Sequence, residues 1–189
     1  MNFELKPDTD FIIAIDVSAS MQTPDCHGLT RFNFATEKTK QFCKEASTVD
    51  EDGITLITFG HKIGIYSNVT DETVQEVISN LVPDECATKT DEAIHKAWQE
   101  HVINKNKHTI LFVVTDGVPQ NEKKVLEVCG HIYQVCDNPG EFGIVMLTVG
   151  HAGDDLLKFF GELEKLDIVQ VEELEKISFY GAVGKALGE

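Results

Sequence analysis

Phe11-Ile12-Ile13-Ala14-Ile15-Asp16-Val17-Ser18-Ala19-Ser20 is the stretch that decides the fold. Five consecutive apolar residues leave no polar face, the pattern of a strand covered on both sides. The run ends in a carboxylate followed by two hydroxyls at alternate positions. A second run, Ile110-Leu111-Phe112-Val113-Val114, ends alike in Thr115-Asp116-Gly117. Two acidic strand ends and a hydroxyl-rich turn are the minimum parts of a site for a hard divalent cation such as Mg²⁺.

Working outward, apolar runs alternate with segments of helical period. Strands are expected at 11–16, 54–59, 63–67, 109–115, 143–149 and 168–171. Gly60-His61 reads as a two-residue turn that makes 54–59 and 63–67 an antiparallel hairpin at one edge, with Gly64 and Asn68 weakening the second arm. Thr30 is placed to cap a helix over 31–46, with Leu29 stapling onto Phe34 and Phe42, Cys43 and Ala46 facing the core. Short apolar stripes follow: Val74, Val77, Ile78 and Leu81; then Ile94, Ala97, Trp98 and Val102 on a helix beginning at Thr90. The next helix carries Val125, Val128, Cys129, Ile132, Val135 and Cys136 on one face. Leu156, Leu157, Phe160 and Leu163 mark a fifth, opened by Asp154 and Asp155. Leu174, Ile177, Tyr180, Val183 and Leu187 mark a sixth over 172–188, weakened by Gly181, Gly184 and Gly188. The expected fold is a single α/β domain over 1–189, with a core of about 9–188. It is a three-layer sandwich: a mostly parallel sheet of about six strands, one antiparallel edge strand, and helices on both faces.

At 189 residues and 42% hydrophobic, the chain has material for one core. Its 32 acidic against 16 basic residues give a formal charge of −16, and no long basic run exists to bind phosphates. Nucleic acid and anionic membrane surfaces are therefore not expected partners. Residues 1–8 lack the order of a signal peptide, and no apolar run would span a bilayer. The cysteines at 26, 43, 86, 129 and 136 are odd in number, without a C-x-x-C pair, which suits reduced thiols in a cytoplasmic setting. Cys129 and Cys136 read as core fillers.

In a doubly wound sheet, ligands bind beyond the carboxyl ends of strands where the strand order reverses. Asp16 and Asp116 both sit at such ends, and Pro83–Thr90 is the loop expected to join them. Ser18, Ser20 and Thr88 offer neutral oxygens; the two aspartates ligate directly or through water. A cation held mainly by neutral donors keeps a deficit of negative charge, which an incoming carboxylate fills. Asp25, Asp84 and Glu85 would deepen the negative potential of the same rim. Residues 21–28 read as a surface loop lining it, the alternatives being a direct partner contact or a soft-metal contribution from Cys26 and His27.

On these residues the chain resembles a von Willebrand factor type A domain with a metal-ion-dependent adhesion site. Asp16-x-Ser18-x-Ser20, then Thr88, then Asp116 follow that family's pattern, and the element order matches over roughly residues 9–188. The resemblance implies a Rossmann-like sandwich binding Mg²⁺ or Mn²⁺ at Asp16, Ser18, Ser20, Thr88 and Asp116. It implies Thr88 as ligand and Thr90 as helix cap, and a non-enzymatic module that captures an Asp or Glu of a protein partner. Cys86-Ala87 stand where many members have two glycines, so the loop has less backbone freedom. Two other functions are open on the residues. A metal-dependent phosphate-ester hydrolase would need an acid two positions after Asp16, where Ser18 stands, and a cation to clamp phosphate. A metal-free scaffold with a vestigial site would not need all five ligand-type residues. His151 has no nucleophile beside it in the pattern.

Overall fold

The apolar run 11–15 lies inside β1 (Thr9–Asp16), and its alternate side chains enter two different cores. Phe11, Ile13 and Ile15 face one layer of helices; Ile12 and Ala14 face the other. In this computed structural model, which describes residues 8–50, 52–83, 86–104, 108–136 and 140–188, β1 is central. The other strands are β2 (Ile54–Phe59), β3 (Ile63–Val69), β4 (His108–Thr115), β5 (Phe142–Thr148) and β6 (Val169–Glu173), in the order β3-β2-β1-β4-β5-β6. All pairs are parallel except β2–β3. The chain fills one side of β1 and then crosses to β4 on the other, so the order reverses between β1 and β4. Their carboxyl ends carry Asp16 and Asp116.

Helices α1 (Arg31–Ala46), α2 (Val74–Ser79) and α6 (Phe179–Ala186) cover one face. Helices α3 (Thr90–Ile103), α4 (Glu122–Val135) and α5 (Asp154–Leu163) cover the other. Thr30 caps α1 as expected, its hydroxyl accepting from the Asn33 N–H at 3.1 Å. The first core centres on Phe112, whose ring meets Phe42 edge-on at 5.5 Å and lies 6.0 Å from Phe179. No helix among the described residues is long and apolar enough to cross a membrane.

Several local expectations are corrected. The β2–β3 connection is three residues long, because Phe59 pairs with Ile63 and the Gly60 N–H closes onto the Lys62 carbonyl. Asn68, at φ +57°, accompanies a register shift in β3 that places one extra residue opposite β2. The last helix begins at Phe179 rather than 172, because β6 continues to Glu173 and Ser178 supplies the cap to the Gly181 N–H. Four residues assigned to buried stripes are exposed: Val102, Val135, Leu157 and Tyr180. In three cases a neighbour takes the inward position. His101 displaces Val102, stacking on Trp98 at 5.0 Å with its Nδ1 2.9 Å from the Thr109 hydroxyl. Phe159 replaces Leu157 and Phe179 replaces Tyr180.

Candidate metal centre

Asp16 ends β1 fully buried, and the chain turns at once into a single 3-10 turn, Ala19–Gln22, anchored by buried Met21. The turn folds the two serines back over the strand end. Asp16 Oδ1 accepts the Ser18 N–H at 2.8 Å, and Oδ2 accepts the Thr115 hydroxyl at 2.7 Å. The Ser18 and Ser20 hydroxyls lie 3.1 Å apart, and Ser20 Oγ donates to Asp116 Oδ1 at 2.8 Å. Four of the five expected residues thus form one connected cluster across the β1–β4 junction.

The fifth, Thr88, is brought to the same rim by backbone. Its carbonyl accepts the Gln120 N–H at 2.9 Å, tying its loop to the segment after Asp116. Gln22 Nε2 donates to the Pro83 carbonyl, tying the start of that loop to the 3-10 turn. No hydrogen bond joins the Thr88 hydroxyl to the cluster among the described residues. Thr90 is not a side-chain cap: Lys89 holds the cap position of α3, and the Thr90 hydroxyl is buried without a hydrogen-bond partner. Asp84 and Glu85 lie outside the described residues.

Burial is the largest influence on Asp16. It pushes the carboxyl from 3.8 up to about 6, against the hydrogen bonds from Thr115 and Ser18, with the charge of Asp116 adding to the rise. A carboxylate so placed is an anion short of solvation, and a nearby cation stabilises it.

One such cation belongs to the chain itself. Arg31, the first residue of α1 and the only arginine in the sequence, sends Nη1 to Asp116 Oδ2 at 2.8 Å. Its Nε and Nη2 grip Asp25 at 2.9 and 2.6 Å, holding the Asp25 carboxyl below its ordinary range. Asp25 is thus at the rim as the sequence leads one to expect, whereas Arg31 is a rim residue that the sequence pattern did not single out. A signal was present, since a cation at the positive end of a helix is disfavoured unless carboxylates compensate it.

The remaining candidates go elsewhere. The Cys26 thiol is buried, donates to Asp25 Oδ1 at 3.6 Å, and is pushed up by that burial. His27 pairs with Glu175 instead. Among the described residues, no three His, Cys, Asp or Glu side chains group as a metal cluster; the side chains gathered at this rim are two carboxylates and two serine hydroxyls. Asp154 and Asp155 open α5 as expected. His151 is exposed on the β5–α5 connection, lining a surface cavity with Glu164, Glu172 and Glu173.

The family model for the von Willebrand factor type A domain matches residues 11–118. A comparison with curated proteins gives no match. Among solved structures, the manganese-loaded TRAP protein of Plasmodium vivax superposes with a TM-score of 0.63 at 14% identity, over 90% of this chain and 70% of that one. A von Willebrand factor type A protein from Catenulispora acidiphila gives 0.68 at 15%, over 95% and 42%. Proximal thread matrix protein 1 of the mussel byssus, with a zinc-occupied adhesion-site motif, gives 0.57 at 14%, over 95% and 46%. The chain spans less than half the length of the latter two. These likenesses show a shared fold, and the match of the family model over more than half the chain shows the lineage: the protein belongs to the von Willebrand factor type A domain family.

Proposed function

We propose that this domain is a non-enzymatic interaction module that holds Mg²⁺ or Mn²⁺ at Asp16, Ser18, Ser20, Thr88 and Asp116. Through that ion it captures an Asp or Glu side chain of a protein partner. The observation that carries the reading is the chain Ser18–Ser20–Asp116, laid over the buried carboxylate of Asp16 at the β1–β4 reversal. The donor set fits the ion. It is all oxygen, with three neutral hydroxyls backed by two aspartates, and a cation offsets the burial of Asp16. The manganese and zinc named for two structural neighbours add support for a divalent cation. With few formal charges among its direct donors, the ion retains affinity for an added carboxylate, and that attraction overcomes the net repulsion of a chain carrying −16.

The five cysteines extend the proposal to a reducing, cytoplasmic setting; Cys43 and Cys129 are buried fillers, their thiols pushed up by burial to about 11 and about 12. Phosphate-ester hydrolysis has gained a cation near the site in Arg31. That guanidinium is already spread over Asp25 and Asp116, so a phosphate would have to displace two carboxylates to use it.

The test is affinity capture from a lysate of the source in Mg²⁺, beside EDTA and beside Asp116→Ala. Capture of a protein by wild type with metal alone is the expected result. Equal capture in all three lanes would place the interaction surface away from these loops.

A further inference from the structure

Arg31 is held from several sides at once. Nε and Nη2 engage Asp25 as a fork, while Nη1 reaches the buried Asp116 carboxylate. The arginine side chain is 14% exposed and Asp116 1%. Gly150, in the loop after β5, completes the seat: a Cβ there would lie 2.5 Å from Arg31 Nε, and the residue adopts φ +72°. Only glycine satisfies both conditions without strain. A lysine could not replace this arginine, because a single ammonium lacks the planar fork that spans two carboxylates. The chain's other permanently charged basic side chains are lysines.

Both oxygens of Asp116 are engaged: Oδ1 by the Ser20 hydroxyl and Oδ2 by the guanidinium. We infer that Arg31 is a resident cation of the rim and sets the metal affinity of the site by competing for Asp116. Asp25 and Gly150 keep it in position. The inference rests on the metal-binding reading above. When a divalent ion loads, Asp116 Oδ2 is drawn from Nη1, and Asp25 retains the guanidinium. The positive charge that remains beside Asp116 opposes loading further. Arg31 thereby weakens metal binding, and it also neutralises Asp116 when no ion is loaded.

The test is Mn²⁺ binding, followed by the loss of the free-ion paramagnetic resonance signal, with wild type, Arg31→Gln, Arg31→Lys and Arg31→Gln/Asp25→Asn. Arg31→Gln should tighten Mn²⁺ binding about tenfold, a difference of about 1.4 kcal/mol. The double variant should keep most of that gain, since the gain comes from freeing Asp116 and not from exposing the charge of Asp25. Arg31→Lys should fall between wild type and Arg31→Gln. If Arg31→Gln binds no tighter than wild type, or if the gain vanishes in the double variant, the assignment is wrong while the metal site stands. If neither wild type nor any variant takes up Mn²⁺, the metal reading fails and this inference with it. A thermal-denaturation series gives an independent readout. In EDTA, Arg31→Gln should melt below wild type, because the buried Asp116 carboxylate and the exposed Asp25 both lose their counter-charge. Saturating Mn²⁺ should raise its melting temperature by more than it raises that of wild type; an equal or smaller rise counts against the assignment.

Discussion

Replacing Asp16 by Asn removes a charge that the fold buries completely, and the change should stabilise the protein whenever divalent metal is withheld. The magnitude follows from the carboxyl's displacement from 3.8 to about 6. At about 1.4 kcal/mol per pH unit, folding disfavours the ionised form by about 3 kcal/mol. The folded chain binds this proton more tightly than the unfolded chain does. The wild type therefore holds its relative advantage below about pH 3.8 and loses it as pH rises through about 6. Asn keeps most of the local hydrogen bonding. Its Oδ1 can accept from the Ser18 N–H while its Nδ2 donates to the Thr115 hydroxyl, which sits 3.5 Å from the Gly117 carbonyl. Exchanging a charge-assisted bond for neutral ones reduces the gain to about 1–2 kcal/mol at pH 8. Urea unfolding followed by the fluorescence of Trp98, the only tryptophan, should show this in EDTA, with the advantage gone at pH 4. Saturating Mg²⁺ should reverse the order, since only wild type gains binding free energy. An Asp16→Asn variant less stable than wild type at pH 8 in EDTA would overturn this expectation, because the buried charge would then not be the cost that metal binding relieves.

Other expectations follow from the same structure. Thr90→Val replaces a buried hydroxyl without a partner and should raise stability by about 1 kcal/mol with Mn²⁺ affinity unchanged, whereas Thr88→Val should weaken Mn²⁺ binding at least tenfold; calorimetric titration of both separates the two threonines. Phe112→Ala opens the centre of the Phe42–Phe112–Phe179 cluster and should cost about 3–5 kcal/mol in urea unfolding. Among the cysteines, exposed Cys86 should react with a thiol reagent within seconds in the native protein, while Cys43 and Cys129, pushed up to about 11 and about 12, should react only on unfolding.

The layer order and the meeting of the two acidic strand ends were legible because both depend on local pattern. Runs such as 11–15 and 110–114 lack a polar face, so they lie in a doubly covered sheet, and the aspartates that follow them meet at its carboxyl edge. Individual stripe positions were less legible where polar and apolar neighbours compete. His101 outranks Val102 because Thr109 offers its ring nitrogen a partner from β4, a contact only the tertiary fold creates. The start of α6 was lost for a related reason. Leu174 and Ile177 have helical spacing with Tyr180, yet pairing of β6 with β5 through Glu173 holds the chain extended. Arg31 was the largest omission. Its partners lie 6 and 85 residues away, and the second of those separations is invisible without the β1–β4 adjacency.

Ser18, Ser20 and Thr88, backed by Asp16 and Asp116, are proposed to hold a divalent cation. Anomalous diffraction from crystals grown in Mn²⁺ tests it most directly. The expected result is a single strong peak about 2 Å from the Ser18 and Ser20 hydroxyl oxygens, with Thr88 drawn in to complete the set and the peak lost in Asp116→Ala. No peak at this rim, or one whose donors exclude the two serines, would contradict it.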